Sequence, residues 1–337
     1  LLQGTKAVKL TLGEWKEVEI EDEEDGNEGG DGEDEGPTME YRVVPIDDPV
    51  EMPAAQIVED NPVHKYEIIE SPVKKIRVGY LMYNSFTAGT KAEPEKYNNE
   101  LRSVSQKFKE AGVQAVILDL RYNEGGSMDC VQLLGTILTS ANRLGEPMAY
   151  LEYNDKNTDK DATILFGTDM EINLNLHSLI AITSGTTMGA PEMLIRSLFL
   201  EDTYPIATVG SSTKGQNVAT EQFINEEFLW SVNPVVCTVY NSQHDTYGAI
   251  SPATDLKVSE TTIDGSTNYS EFLPFGTFDK DGKSERLLKI AIGVLDGTYP
   301  PKDDETPEES TTQTRFKVEK SVSSPASRRF SSKGLRL

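Results

Sequence analysis

Between residues 73 and 210 short apolar runs alternate with stretches of helical period, and this order constrains the fold more than any other feature of the chain. "KKIRVGYLMYNSF" alternates around Ile76, Val78, Tyr80 and Met82, as a strand does. "EPEKYNNELRSVSQKFKEAGV" sets Tyr97, Leu101, Val104, Phe108 and Ala111 three and four apart, which is one helical face running to a stop at Gly112. "QAVILDLR" is an apolar run with a charged end, the pattern of a strand covered on both faces. "SMDCVQLLGTILTSANRL" predicts a second helix, "EPMAYLEYND" and "SLIAITS" two strands, "PEMLIRSLFL" a helix and "PIATVG" a strand. A β-α-β-α succession of this kind builds an α/β core, a central and mostly parallel sheet flanked by helices, with ligands placed where strands end and helices begin.

The flanks read differently. Residues 1–20, with "GTKAVKLTLGEWKEVEI", predict a β-hairpin. "EDEEDGNEGGDGEDEG" repels itself and has nothing to bury, so residues 21–72 are expected to be an acidic disordered loop and linker. Calcium is not implied, because an EF-hand loop starting at Asp25 needs Glu at its twelfth position and Gly36 stands there. The α/β core then occupies residues 73–300, closed by an amphipathic helix in "SERLLKIAIGVLDG". Residues 301–337 are polar and rich in Pro and Ser, and are expected to be a largely mobile tail.

Charge and composition remove several functions. Asp and Glu number 56 against 32 Lys and Arg, a net charge of -24, and no basic cluster follows a phosphate backbone, so nucleic acid is not an expected partner. No apolar run approaches the roughly 20 residues that span a bilayer. The opening residues also lack the basic and apolar regions of a secretory leader. Cys130 and Cys237 are too few for a disulfide scaffold, and His64, His177 and His244 are too scattered for a zinc site. Neither a metal nor an organic cofactor is expected.

Two turns carry the chemistry. In "LDLRYNEGGS" a buried strand delivers Asp119 and Arg121 to its end, and Gly125-Gly126 then opens a helix. Backbone N–H groups exposed there suit a carboxylate or a developing oxyanion. In "SLIAITSGTTMGAPEML" a second buried strand turns into a helix where hydrolases seat a nucleophile, yet the middle of the turn is Gly189.

Taken together these motifs resemble the tail-specific, or C-terminal processing, serine peptidase family. "LDLRYNEGGS" matches its Asp-Leu-Arg strand and Gly-Gly turn, and "SGTTMGAPE" its Ser-Ala-Ser-Glu turn. "VGSSTKGQNV" matches its base-bearing loop, and "GAISPATD" and "LPFGTFDKDGKSERLLKIAIGVLDG" its closing segments. The resemblance spans residues 74 to 298 and implies a ClpP/crotonase-like peptidase core preceded by a PDZ-like β domain, of which residues 1–20 would be the end. It implies a polypeptide substrate or ligand, bound through an extended or C-terminal segment, and export to a bacterial periplasm or cell envelope.

The resemblance also implies a Ser nucleophile and a Lys base whose neutral amine takes the Ser proton. Counting back from Glu192 puts Gly189 at the nucleophile position. Aligning Gly210, Thr213 and Gly215 puts Gln216 at the base position, with Lys214 two residues away on the same face if the segment is a strand. Ser184, Thr186 and Thr187 are the replacement nucleophiles within reach on the same loop, and His244-Asp245 is an alternative acid–base pair. The backbone N–H groups of Gly126 and Ala190 are the implied oxyanion donors. Two functions stay open: a serine-type peptidase, and a catalytically silent protein that holds peptides in the former substrate cleft.

Overall fold

The computed structural model describes residues 8–10, 13–20, 38–45, 50–52, 60–228, 230–257, 285–299 and 334–337. They fall into two compact units, Leu1–Asp60 and Asn61–Leu337. In the first unit β1 (Val8–Leu10) pairs antiparallel with β4 (Val50–Met52), and β2 (Gly13–Ile20) pairs antiparallel with β3 (Thr38–Pro45). The expected hairpin of residues 1–20 is therefore corrected: its two strands take partners further along the chain. The reading of residues 21–72 as loop is corrected over β3, β4 and the strand that opens the second unit, while the acidic run at 21–36 lies outside the described residues.

The second unit runs β5 (Val63–Glu70), β6 (Arg77–Tyr83), α1 (Lys96–Glu110), β7 (Ala115–Asp119), β8 (Gly125–Ser127) and α2 (Met128–Leu138). It continues through β9 (Pro147–Tyr153), β10 (Ala162–Leu165), β11 (Leu179–Thr183), α3 (Ala190–Leu198) and β12 (Ile206–Gly210). β13 (Val218–Thr220), β14 (Phe223–Asn225), β15 (Trp230–Val232), β16 (Val235–Tyr240), α4 (Arg286–Asp296) and β17 (Gly334–Arg336) complete it. One sheet has the order β12-β11-β7-β6-β5, its first four strands parallel and β5 antiparallel at the edge.

The alternation read in the sequence divides this sheet between two cores. Val78, Tyr80 and Met82 of β6 face a cluster with Leu287, Leu288 and Ala291 of α4. Leu81 and Tyr83 face the opposite cluster, with Leu101 and Phe108 of α1, Leu134 of α2 and Leu194 of α3. Both faces are dry, which is why these strands read as continuous apolar runs.

A second sheet has the order β10-β9-β16-β13-β17-β8. β17 lies in it between β13 and β8, parallel to both. This corrects the expectation of a mobile tail at its last residues, for Leu335 is 1% exposed in the core; residues 301–333 lie outside the described residues.

Cys130 and Cys237 are both free and buried. Burial pushes the Cys130 thiol up to about 12 and the Cys237 thiol up to about 11. Thiolate is the reactive form, so iodoacetamide near neutral pH should leave both unmodified in the native protein and label both after denaturation. Rapid native labelling, read by mass spectrometry, would contradict their placement.

Candidate active site

The turn after β11 is built from hydroxyls. Thr187, fully buried, accepts the Ser184 N–H at 2.9 Å and donates to the Leu120 carbonyl at 2.9 Å. Ser184 donates to the Arg121 carbonyl and shares a 2.9 Å contact with Thr186, whose own hydroxyl reaches the same carbonyl at 2.7 Å. The three hydroxyls proposed as replacement nucleophiles therefore fasten this turn to the end of β7. None of these contacts is with a base that would accept a proton.

After the turn the chain reaches Gly189 with φ 69° and ψ -101°, a conformation that a Cβ strains, and α3 begins at the next residue. The shape is that of a strand–turn–helix nucleophile seat. A Cβ built on Gly189 would lie 2.5 Å from the Leu335 nitrogen and 2.7 Å from the Gly334 Cα. The space into which a nucleophile's side chain would project is filled by the main chain of β17.

Glu192, which the sequence offered only as a counting mark, organises the site. Its carboxylate is fully buried. One oxygen accepts the Gly189 N–H and the Gln216 N–H, both at 2.8 Å; the other accepts the Thr213 hydroxyl and the Gly215 N–H. Thr213 in turn accepts the Ile250 N–H at 2.9 Å. One carboxylate thus ties the turn at 189 to the loop at 213–216. The signal was present in the sequence as an acidic residue at the third helical position, where it reaches back to an N-terminal N–H.

That loop presents the two base candidates differently. Residues 211–217 are not a strand, so Lys214 and Gln216 do not share a strand face, and that expectation is corrected. Lys214 donates its backbone N–H to the Thr187 carbonyl at 3.1 Å, and its side chain is exposed. Gln216 points inward: a Cβ on Gly334 would lie 2.3 Å from its Oε1 and 2.9 Å from its Nε2. Gln216 and Gly189 therefore meet the same residue of β17.

Gly126 completes the constellation. Its neighbours Gly125 and Ser127 use their carbonyl and N–H on Phe86, at 2.9 and 2.8 Å. The alternation of a strand then turns the Gly126 peptide the other way, toward β17, where it is the partner of Leu335. Ala190 is fully buried at the first position of α3, where the helix itself supplies no acceptor for its N–H. His244 lies apart, half-exposed, stacked on Tyr150 with its Nε2 2.8 Å from Glu152, and Asp245 gives its N–H to Asn241. The pair makes no acid–base unit.

Beneath the site sits a buried ion-pair network. Arg121 binds Asp119 through Nε at 3.0 Å and Nη2 at 2.7 Å, and grips both oxygens of Glu285 at 3.0 Å. Tyr80 donates to Asp119 at 2.8 Å. Burial works against charge on both partners, yet the Glu285 and Asp119 contacts raise the Arg121 pKa and the Arg121 contacts hold Glu285 below the usual carboxylate range. Glu285 also caps α4, accepting the Leu287 and Leu288 N–H groups at 3.2 and 3.0 Å. Among the described residues no group of His, Cys, Asp or Glu is arranged to hold a metal ion, and no helix is long and apolar enough to cross a membrane.

Comparison with known proteins bears on this arrangement. The family model described as Peptidase family S41 matches residues 77–233. A solved structure named as an S41 protease, from Bacteroides fragilis NCTC 9343, is 34% identical over 88% of this chain and 68% of its own, with a TM-score of 0.65. The photosystem II D1 C-terminal processing protease is 16% identical, covering 65% of this chain and 52% of its own, with a TM-score of 0.45. A protein named as a peptidase, from Parabacteroides merdae ATCC 43184, is 20% identical over 69% of this chain and 66% of its own, with a TM-score of 0.42. Those two similarities are too distant to bear on activity. No curated protein matches the chain. On the Bacteroides similarity, which is close and covers most of both chains, the protein belongs to peptidase family S41, the tail-specific or C-terminal processing serine peptidases.

Proposed function

We propose that this chain is a catalytically silent S41 homologue that holds extended polypeptide, such as a C-terminal segment, in the former substrate cleft. The observation that carries the proposal is the pair of residues facing one point of β17. Gly189 offers no atom that can attack a carbonyl, and Gln216 offers an amide where the family's mechanism needs an amine that can accept a proton. The hydroxyls of Ser184, Thr186 and Thr187 are engaged in the turn, which supports silence over a displaced nucleophile.

What the cleft retains is suited to binding. β8 and β13 are separated by one strand's width, and an extended segment inserted there bonds to both by strand addition. The Gly126 and Ala190 N–H groups, the oxyanion donors implied by family membership, belong to the backbone and do not depend on the lost side chains. Membership also supports placing the protein in the bacterial envelope, as part of this proposal.

Incubation with casein tests the silence directly. The unmodified chain should leave casein intact over a day by gel electrophoresis. Cleavage by the unmodified chain that disappears in Ser184→Ala or Thr187→Ala would overturn the proposal and name the nucleophile.

A further inference from the structure

β17 is the strand that occupies the cleft just described, and it comes from this chain. Gly126, Gly189 and Gln216 all meet its first two residues. Gly334 gives its N–H to the Glu124 carbonyl at 2.6 Å, and Leu335 pairs with Gly126 in the parallel ladder. The positions where Gly189 and Gly334 would carry side chains are blocked by Leu335 and by Gln216 respectively. On the far side Thr220 donates its hydroxyl to the Leu335 carbonyl at 3.2 Å, and the Leu337 N–H reaches the Thr220 carbonyl at 3.1 Å.

The segment is held as a short ligand is held: by main-chain hydrogen bonds on both edges and one apolar anchor. Leu335 is that anchor, 1% exposed within the core cluster. Gly334 is the second determinant, because its φ of 101° is a backbone conformation that residues with a Cβ rarely adopt. Two buried polar atoms beside it, Gln216 Oε1 and Arg336 Nε, have no hydrogen-bond partner among the described residues.

We propose that residues 334–337 are a tethered, displaceable ligand of the cleft, and that the cleft selects extended polypeptide bearing glycine followed by a large apolar residue. The inference rests on the reading of the cleft as a polypeptide-binding slot. While docked, the segment covers Gly189 and Gly126, so another polypeptide enters only as it leaves. Being part of the same chain, the segment competes with any added polypeptide.

The test is fluorescence polarisation with a labelled, end-blocked peptide, Ser-Ser-Lys-Gly-Leu-Arg-Leu. It is titrated into the full chain and into a chain lacking residues 334–337. The shortened chain should bind at least about tenfold more tightly than the full chain, whose tethered copy competes. The Leu335→Asp and Gly334→Val forms of the peptide should each lose about tenfold or more, since one buries an unpaired charge and the other puts a β-branched residue at a φ of 101°. If the shortened chain binds unrelated extended peptides but not this one, the tethered-ligand proposal falls and the polypeptide-binding reading stands. If it is folded and binds no peptide, both fall.

Native-state hydrogen exchange on the full chain covers the case in which the shortened chain does not fold. The Gly334 and Leu337 amides should exchange at least about a hundredfold faster than those of β11, through local opening. Exchange of these amides only at the rate of global unfolding would make β17 a permanent core strand and overturn the proposal.

Discussion

Glu192→Ala should lower stability by about 3–5 kcal/mol, a large share of what holds a domain of this kind together. The substitution leaves four donors without an acceptor: the N–H groups of Gly189, Gly215 and Gln216, and the Thr213 hydroxyl. Each orphaned buried donor costs about 1–3 kcal/mol, and water entering the vacated space recovers part of the total. Glu192→Gln keeps the shape but turns an NH2 group toward one pair of donors, so about 2 kcal/mol is expected. Urea denaturation followed by far-UV circular dichroism measures both. A loss below about 1 kcal/mol for the alanine variant would mean that the turn at 189 and the loop at 213–216 are held by something else. The expected effect is structural, so it holds whether or not the chain has any activity.

Glu285→Ala should cost a similar amount, about 3–5 kcal/mol, by a different route. Removing this carboxylate takes an acid partner from the Arg121 guanidinium, 0% exposed, and removes the cap of α4. Helix α4 supplies Leu287, Leu288 and Ala291 to one face of the parallel sheet, so loosening its first turn loosens that core. The pH dependence has a definite sign. The Glu285 pKa is lowered in the folded state, so its contribution is present above the unfolded carboxylate pKa of about 4.3 and is lost as pH falls through the folded value. Urea midpoints measured from about pH 7 down to about pH 3 should show the wild type losing more stability than Glu285→Gln over the acid end. Parallel curves would show that the pair contributes nothing through its charge.

The membership in family S41 was legible because it is carried by ordered local motifs. "LDLRYNEGGS", "SGTTMGAPE" and "SSTKGQNV" are each a strand end plus a turn, and turn chemistry is written in neighbouring residues. The place of Gly189 at the start of a helix was legible for the same reason, and so was the helical face of Tyr97, Leu101, Val104 and Phe108, all buried in α1. Where sequence reasoning went astray, the deciding contact was distant. The strands of residues 1–20 pair with residues 38–52 and not with each other. Lys214 and Gln216 would share a face only if their segment were a strand, and a loop pinned by Glu192 stands there instead.

Between residues 73 and 210 the sequence by itself determined most of the order of strands and helices, because periods of two and about 3.6 are local properties of the backbone. It also put Gly189 where the resemblance places a nucleophile, and left Gln216 and Lys214 both open where it places the base. Only the tertiary structure decided what those positions face. Arg121 meets Glu285 across 164 residues, and Gly189 meets Gly334 and Leu335 from the far end of the chain. The composition of the last residues, polar but for Leu335 and Leu337, carries no period that marks a strand. A three-residue strand acquires its structure from the edges it enters, and β8 and β13 supply them.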